Sequence, residues 1–243
     1  MNQAITRFIA QKKLSPHSQS AYFYDLRQFV ELCHETVSPQ ELAAYQLFLQ
    51  DLKPAAQKRK LSAVNQFLYF LYEDGQLDKF YKLKLQQTVL AKRPQKTRAN
   101  LSLLWQETSE KNGQLIALLI AYLGLLPSEI GEIRLQDINL DFQVLTVQKS
   151  NRKRILSLPK DLIPYLKGPF SGTYLFDKKG QTYSRQWLFN RLAAFLRLIG
   201  KREWTAQFLR EQYILGQLDA GKSLEEVAKL LGLKTSMSLE KYR

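Results

Sequence analysis

Trp204-Thr205-Ala206-Gln207-Phe208-Leu209-Arg210-Glu211-Gln212-Tyr213 opens the last forty residues of this 243-residue chain. Gly221-Lys222-Ser223-Leu224-Glu225-Glu226-Val227-Ala228-Lys229-Leu230-Leu231-Gly232-Leu233 follows, and Leu239-Glu240-Lys241-Tyr242-Arg243 closes it. Leu209, Tyr213 and Ile214 recur at helical spacing, so the segment begins as a helix. Gly221 suits the end of that helix, and Ser223 with Glu226 has the pattern of a capping box for the next one. Gly216 to Ser223 also matches the phosphate-loop pattern G-x-x-x-x-G-K-S. Such a loop follows a strand and opens a parallel sheet, whereas only twenty residues follow Ser223. Nucleotide binding is therefore a remote alternative. Val227 to Leu233 resembles the first helix and turn of a helix-turn-helix. That motif needs apolar residues at positions 238 and 241, which are Ser238 and Lys241. A helix-turn-helix transcriptional or chromosome-architecture protein stays open as the main alternative.

The charge points the same way. Thirty-six Lys and Arg against 22 Asp and Glu give a formal net charge of +14, and an excess of that size calls for a polyanionic partner. An anionic membrane is the rival to nucleic acid. The longest apolar run, Leu115 to Leu126, is shorter than the roughly 20 residues of a spanning helix. Met1-Asn2-Gln3-Ala4-Ile5-Thr6-Arg7 has no signal-peptide core. One cysteine, Cys33, excludes an internal disulfide and suits a reducing cytoplasm.

Upstream, residues 1–73 read as a four-helix unit. Ser15-Pro16 starts a helix with Tyr22, Leu26, Phe29, Val30 and Cys33 at helical spacing. Ser38 and Glu41 form a second capping-box pattern ahead of Leu42, Tyr45, Phe48 and Leu49. A further helix runs from about Pro54 to Tyr72, its N-terminal half carrying Lys58-Arg59-Lys60, read either as a solvated helix end or as phosphate contacts. Residues 74–98 lose apolar density and gather Lys79, Lys82, Lys84, Lys92, Arg93, Lys96 and Arg98, which reads as an extended basic linker. A second domain fills 99–243. Ser102 stands as a possible cap, Gln114 to Leu126 as a buried central helix, and Gly124 to Pro127 as a sharp break. Val144 to Val147 and Ile155 to Leu158 read as two strands around a polar turn, and helices resume near Arg185 and Thr205. The expected class is mainly α with a small antiparallel β-sheet.

Five stretches in order carry a family resemblance. Leu14-Ser15-Pro16-His17-Ser18-Gln19-Ser20-Ala21-Tyr22-Phe23-Tyr24-Asp25-Leu26, Arg59-Lys60-Leu61-Ser62-Ala63-Val64, Gly124 to Ile130, Gln148 to Arg154 and the closing segment together resemble the XerC/XerD branch of tyrosine recombinases. The third is similar to the family's Gly-Leu-Arg-x-Ser-Glu-Leu, and the fourth to its Gly-Lys-Gly-Asn-Lys-x-Arg hairpin. The resemblance implies a DNA-clamping, SAM-like first domain and a catalytic-type second one. The family reaction breaks and rejoins DNA through a phosphotyrosine bond. That bond conserves the energy for rejoining, so no cofactor and no metal are implied. The implied partner is double-stranded DNA, with a second copy or a partner recombinase alongside, and neither a membrane nor a small-molecule substrate.

Position by position, the resemblance makes Lys149 the general acid of the hairpin, Arg210 a phosphate clamp and Tyr242 the nucleophile. Lys58, Arg59, Lys60, Arg152, Lys153 and Arg154 become DNA-contacting cations. Three family positions are chemically changed. The first clamp arginine falls on Leu126, and two histidines fall on Gln207 and Leu233. His17 and His34, the only histidines, lie in the other domain. The layout thus predicts a recombinase scaffold with impaired cleavage, and an unperturbed Tyr242 phenol near pKa 10 unless cations lower it. Only Arg243 follows Tyr242, so a docking tail beyond the tyrosine is not expected.

Overall fold

The computed structural model describes residues 1–84, 98–149 and 152–242, with the backbone alone for Lys149 and Arg152. The chain divides into two units, Met1–Arg93 and Pro94–Arg243.

The first unit holds α1 (Asn2–Gln11), α2 (Pro16–Leu32), α3 (Pro39–Gln50) and α4 (Pro54–Glu73). The last three carry proline in the first turn, where its missing N–H has no helical partner to lose. Ser15 and Ser38 accept from the backbone N–H of Ser18 and Glu41 at 3.3 and 3.2 Å. The Glu41 carboxylate does not complete the expected box and lies 3.5 Å from His34 Nδ1. Helical spacing then brings Phe8, Leu26, Phe29, Tyr45, Phe67 and Leu68 into one core.

This unit extends past the expected boundary at residue 73. Leu83 is buried, and Leu77 and Tyr81 pack on the same core. Asn65 on α4 accepts from Leu83 N at 2.8 Å and donates to its carbonyl at 2.9 Å. Gln46 donates to the Lys84 carbonyl at 2.9 Å. Residues 77–84 are therefore part of the first unit and not extended linker, because their apolar side chains, spaced between lysines, have a core to join. The remainder of the expected linker, 85–97, lies outside the described residues.

In the second unit, Ser102 does not cap a helix; it is the first residue of a 3₁₀ turn, Ser102–Trp105. The apolar run forms α5 (Lys111–Leu123), in which every residue from Gly113 to Ala121 is buried. After it come the short α6 (Pro127–Ile130) and α7 (Ile163–Leu166), then α8 (Arg185–Leu198) and α9 (Ala206–Asp219), the last two packed on α5. One antiparallel sheet has the order β1-β2-β3, with β1 Ile138–Asn139, β2 Val144–Lys149 and β3 Arg152–Ser157. Its hairpin register pairs Val147 with Arg154 and ends on Lys149 opposite Arg152. A second, two-stranded piece joins β4 (Asp177–Lys178) to β5 (Gln181–Thr182).

The closing segment decides between the sequence alternatives. A helix, α9, precedes Gly221, and α10 (Leu224–Leu230) follows it. Ser223 N donates to Glu226 Oε2 at 2.8 Å and Glu226 N to Ser223 Oγ at 3.2 Å, a complete capping box. With no strand before the loop, the phosphate-loop reading is overturned. After α10 the chain forms a 3₁₀ turn, Met237–Tyr242, and not a second α-helix. Only Leu239 of that turn is buried, as polar Ser238 and Lys241 dictate, so the helix-turn-helix reading falls too. Ser223→Ala should lower stability by about 0.5–2 kcal/mol, the usual loss for an N-cap. Denaturant unfolding checks this, and an unchanged midpoint would mean that the cap does not contribute to global stability.

Candidate functional site

Gly124 sets the geometry. It ends α5 at φ 65°, and a Cβ there would come within 2.5 Å of the Tyr213 ring, so glycine is required on both counts. Its carbonyl accepts from Arg210 Nε on α9 at 2.8 Å. Two residues on, Leu126 caps α6, and its N–H donates to Glu129 Oε2 at 2.8 Å. Arg154 reaches the buried Glu129 from β3 as a fork, Nη1 to Oε1 at 2.9 Å and Nη2 to Oε2 at 3.0 Å. Gly232 leaves room for that arginine, since a Cβ there would lie 2.7 Å from Arg154 Nη1.

The electrostatics follow from burial. Burial pushes the Arg210 guanidinium below its ordinary pKa; Glu129 opposes the shift and Arg154 adds to it. Burial raises the Tyr213 phenol, with Arg154 and Arg210 pulling it down. Arg210 Nη2 and Arg154 Nε are buried and have no hydrogen-bond partner among the described residues. A guanidinium N–H left in this way suits an anionic oxygen.

Tyr242 enters from the last turn. Its hydroxyl donates to Glu211 Oε1 on α9 at 3.2 Å. Burial first, and then the Glu211 carboxylate, push its pKa above the ordinary tyrosine value, with Arg210 pulling the other way. This corrects the expectation of an unperturbed phenol: a carboxylate, which the spacing did not reveal, faces the hydroxyl.

Arg210 and Tyr242 thus come together in one cluster. Gln207 is exposed and donates to Glu211 Oε1 at 3.1 Å. Leu126 is half-buried, and Leu233 packs, as Tyr242 does, on the apolar cluster of Tyr213, Val227, Leu231 and Leu239. Lys149 and Arg152 face each other at the hairpin end, and their side chains lie outside the described residues, as do Ser150 and Asn151. Lys58 and Lys153 are exposed. Arg154, by contrast, is 14% exposed and engaged with Glu129, so it is an internal ion-pair partner and not a surface cation.

Lys60 is corrected in the same way. Its Nζ donates to Asp25 Oδ1 at 2.8 Å and to Gln28 Oε1 at 2.6 Å, with its side chain 11% exposed. Lys60, Val64, Phe67, Leu68 and Leu71 share the buried face of α4, and Asp25 supplies the counter-charge from α2. Arg59, half exposed, donates to the same Asp25 oxygen at 2.9 Å.

The sequence reading gave no role to Glu129, Glu211 or Tyr213. The first had a local signal, a carboxylate three residues after the helix start at Leu126-Pro127. Glu211 is four residues after Gln207 and shares its helix face. Nothing local marks Tyr213 apart from the core.

Comparison with known proteins places this arrangement. Residues 5–75 match the phage integrase N-terminal SAM-like domain. A tyrosine recombinase XerD-like protein of Streptococcus suis is 62% identical over 243 residues, all of both chains. The chain belongs to the tyrosine recombinase family. A second XerD-like member, from Streptococcus mutans serotype c, is 47% identical over 238 residues, 98% of this chain and 97% of its own. The family's fold recurs in solved structures. The Tn1549 transposon integrase in complex with a circular intermediate DNA aligns at TM-score 0.76 and 11% identity, covering 99% of this chain and 94% of that one. A lambda integrase dimer bound to a COC′ core site aligns at 0.72 and 15%, covering 100% and 95%. Among the described residues, no His, Cys, Asp and Glu cluster is arranged to hold a metal ion, and no helix is long and apolar enough to cross a membrane.

Proposed function

We propose that this chain binds duplex DNA on a tyrosine recombinase scaffold and that its strand cleavage is strongly reduced. The observation that carries the reading is Arg210 Nη2, a buried donor without a partner among the described residues. Leaving such a donor unmade costs about 1–3 kcal/mol or more when charged, and a phosphate oxygen would satisfy it. The solved integrase complexes carry DNA, and the net charge of +14 suits the same ligand. Tyr242 is the nucleophile and Lys149 the general acid in this reading, with exposed Lys58, Lys153 and Arg59 touching phosphates. Arg152 joins them at the hairpin end. A second copy or a partner recombinase would share the DNA, as the lambda integrase dimer does on its core site. The place of action is the cytoplasm, in keeping with one free, buried cysteine. Cleavage is reduced because Leu126, Gln207 and Leu233 replace groups that the family reaction uses.

The test is a nuclease footprint on genomic fragments combined with affinity as a function of salt. About six phosphate contacts would cost roughly 10³ in affinity between about 50 and 200 mM salt. A protected, salt-sensitive site is the expected result. A flat salt response, or binding unchanged when Arg210 becomes Ala, would remove the phosphate-facing role.

A further inference from the structure

Tyr242 is tied to α9 by its reactive atom. The hydroxyl donates to Glu211 Oε1 at 3.2 Å, and the same oxygen accepts from Gln207 Nε2 at 3.1 Å. Gln207 and Glu211 are one helical turn apart and present one face, so the amide orients the carboxylate. Lys241 Nζ lies 5.0 Å from the centre of the Tyr242 ring, and the ring packs on the C-terminal apolar cluster. Arg210, next to Glu211 in sequence, spends its Nε on the Gly124 carbonyl.

A phenol that donates to a carboxylate keeps its proton, because removing it would leave two negative oxygens about 3 Å apart. We propose that Glu211 is a positioning residue that holds the Tyr242 hydroxyl through this direct hydrogen bond and keeps it from acting as a nucleophile. Among the described residues, the charged groups set against the phenol include Glu211 and Arg210 from α9 and Lys241 from its own turn. Of these, Glu211 is the acceptor of the hydroxyl. The direction of the Tyr242 titration, upward from burial and Glu211, agrees with the geometry. The inference rests on the reading of Tyr242 as the family nucleophile. Glu211 is thus a second barrier to attack, separate from the missing phosphate donors: it acts on the attacking oxygen, whereas Leu126 and Leu233 fail to act on the phosphate.

The experiment is nitration of the full chain by tetranitromethane at pH 8, which consumes phenolate, with modification at Tyr242 followed by mass spectrometry. Glu211→Gln keeps the size and an acceptor oxygen and removes the charge. It should raise the Tyr242 nitration rate about tenfold, the change that one pKa unit makes in the phenolate fraction. Glu211→Asp should return it toward the unmodified rate, and nitration at exposed Tyr24 serves as the internal standard. An unchanged Tyr242 rate in Glu211→Gln overturns the proposal. So does faster nitration accompanied by loss of a tyrosine–DNA adduct that the unmodified chain forms, because Glu211 would then be the proton acceptor for attack. The DNA reading fails separately: no footprint, while nitration still responds to Glu211, removes the nucleophile assignment and leaves the contact as inferred.

Discussion

Incubation with a nicked suicide duplex, from which the cleaved fragment diffuses away, is expected to leave little or no covalent adduct on this chain. Attack on a phosphodiester gathers negative charge on the non-bridging oxygens, and each missing donor there is costly. Losing one such donor typically lowers the rate by about 10²–10³, and a phosphoryl-transfer arginine can be worth about 10³–10⁵. Arg210 supplies a donor in Nη2. Leu126 supplies none from its side chain, and its N–H is already given to Glu129. Leu233 is packed on the C-terminal cluster and can neither donate a hydrogen bond nor move a proton. The losses do not add cleanly, but together they should bring cleavage toward background. The triple change Leu126→Arg, Gln207→His and Leu233→His should raise the adduct by at least about 10², the worth of one restored donor. Position 207 is exposed and takes the larger ring without repacking, and position 126 is half-buried. Position 233 carries the packing cost. Efficient trapping by the unmodified chain, abolished by Tyr242→Phe, would sink the reading of impaired cleavage.

Which parts of this molecule were legible depends on the distance over which each is determined. The ends of α2, α3 and α10 follow from serines within three residues of the N–H they accept from. The all-round apolar run that makes α5 central is equally local, as is the hairpin of β2 and β3. The cations were not legible as a set. Lys58 and Lys153 face solvent as a charge run suggests. Lys60 and Arg154 look the same in sequence, yet each is bound inward by a carboxylate 35 and 25 residues away. Periodicity gives the face on which a side chain stands, and Lys60 falls on the apolar face of α4. Whether a cation on that face is tolerated depends on Asp25, which only the packing of α2 against α4 brings near. Tyr242 is the same case: the family resemblance pointed to it, and the carboxylate that accepts from its hydroxyl, Glu211, lies 31 residues earlier.

Glu129→Ala should be strongly destabilising for the second unit. Its carboxylate is 2% exposed and, among the described residues, accepts from both Nη groups of Arg154 and the N–H of Leu126. Removing it leaves a guanidinium that is 14% exposed without its counter-ion, and breaking one side of a buried pair costs about 3–5 kcal/mol. The effect goes beyond the pair, because Glu129 is also the anion that opposes the lowering of the Arg210 pKa by burial and by Arg154. At about 2–4 °C per kcal/mol for a unit of this size, Tm should fall by roughly 6–20 °C. A double change separates charge from packing. Glu129→Leu with Arg154→Met removes both ions, and replacing a buried pair by apolar groups is often neutral or stabilising. The double variant should therefore recover most of the loss, short of the α6 cap that Leu126 N–H still lacks, worth about 1 kcal/mol. Thermal unfolding of the three proteins decides it. A loss below about 1 kcal/mol in Glu129→Ala would place the Arg154 pair among exposed ion pairs of little worth, and Arg154 would then be free to serve as the phosphate contact that its place in the hairpin suggested.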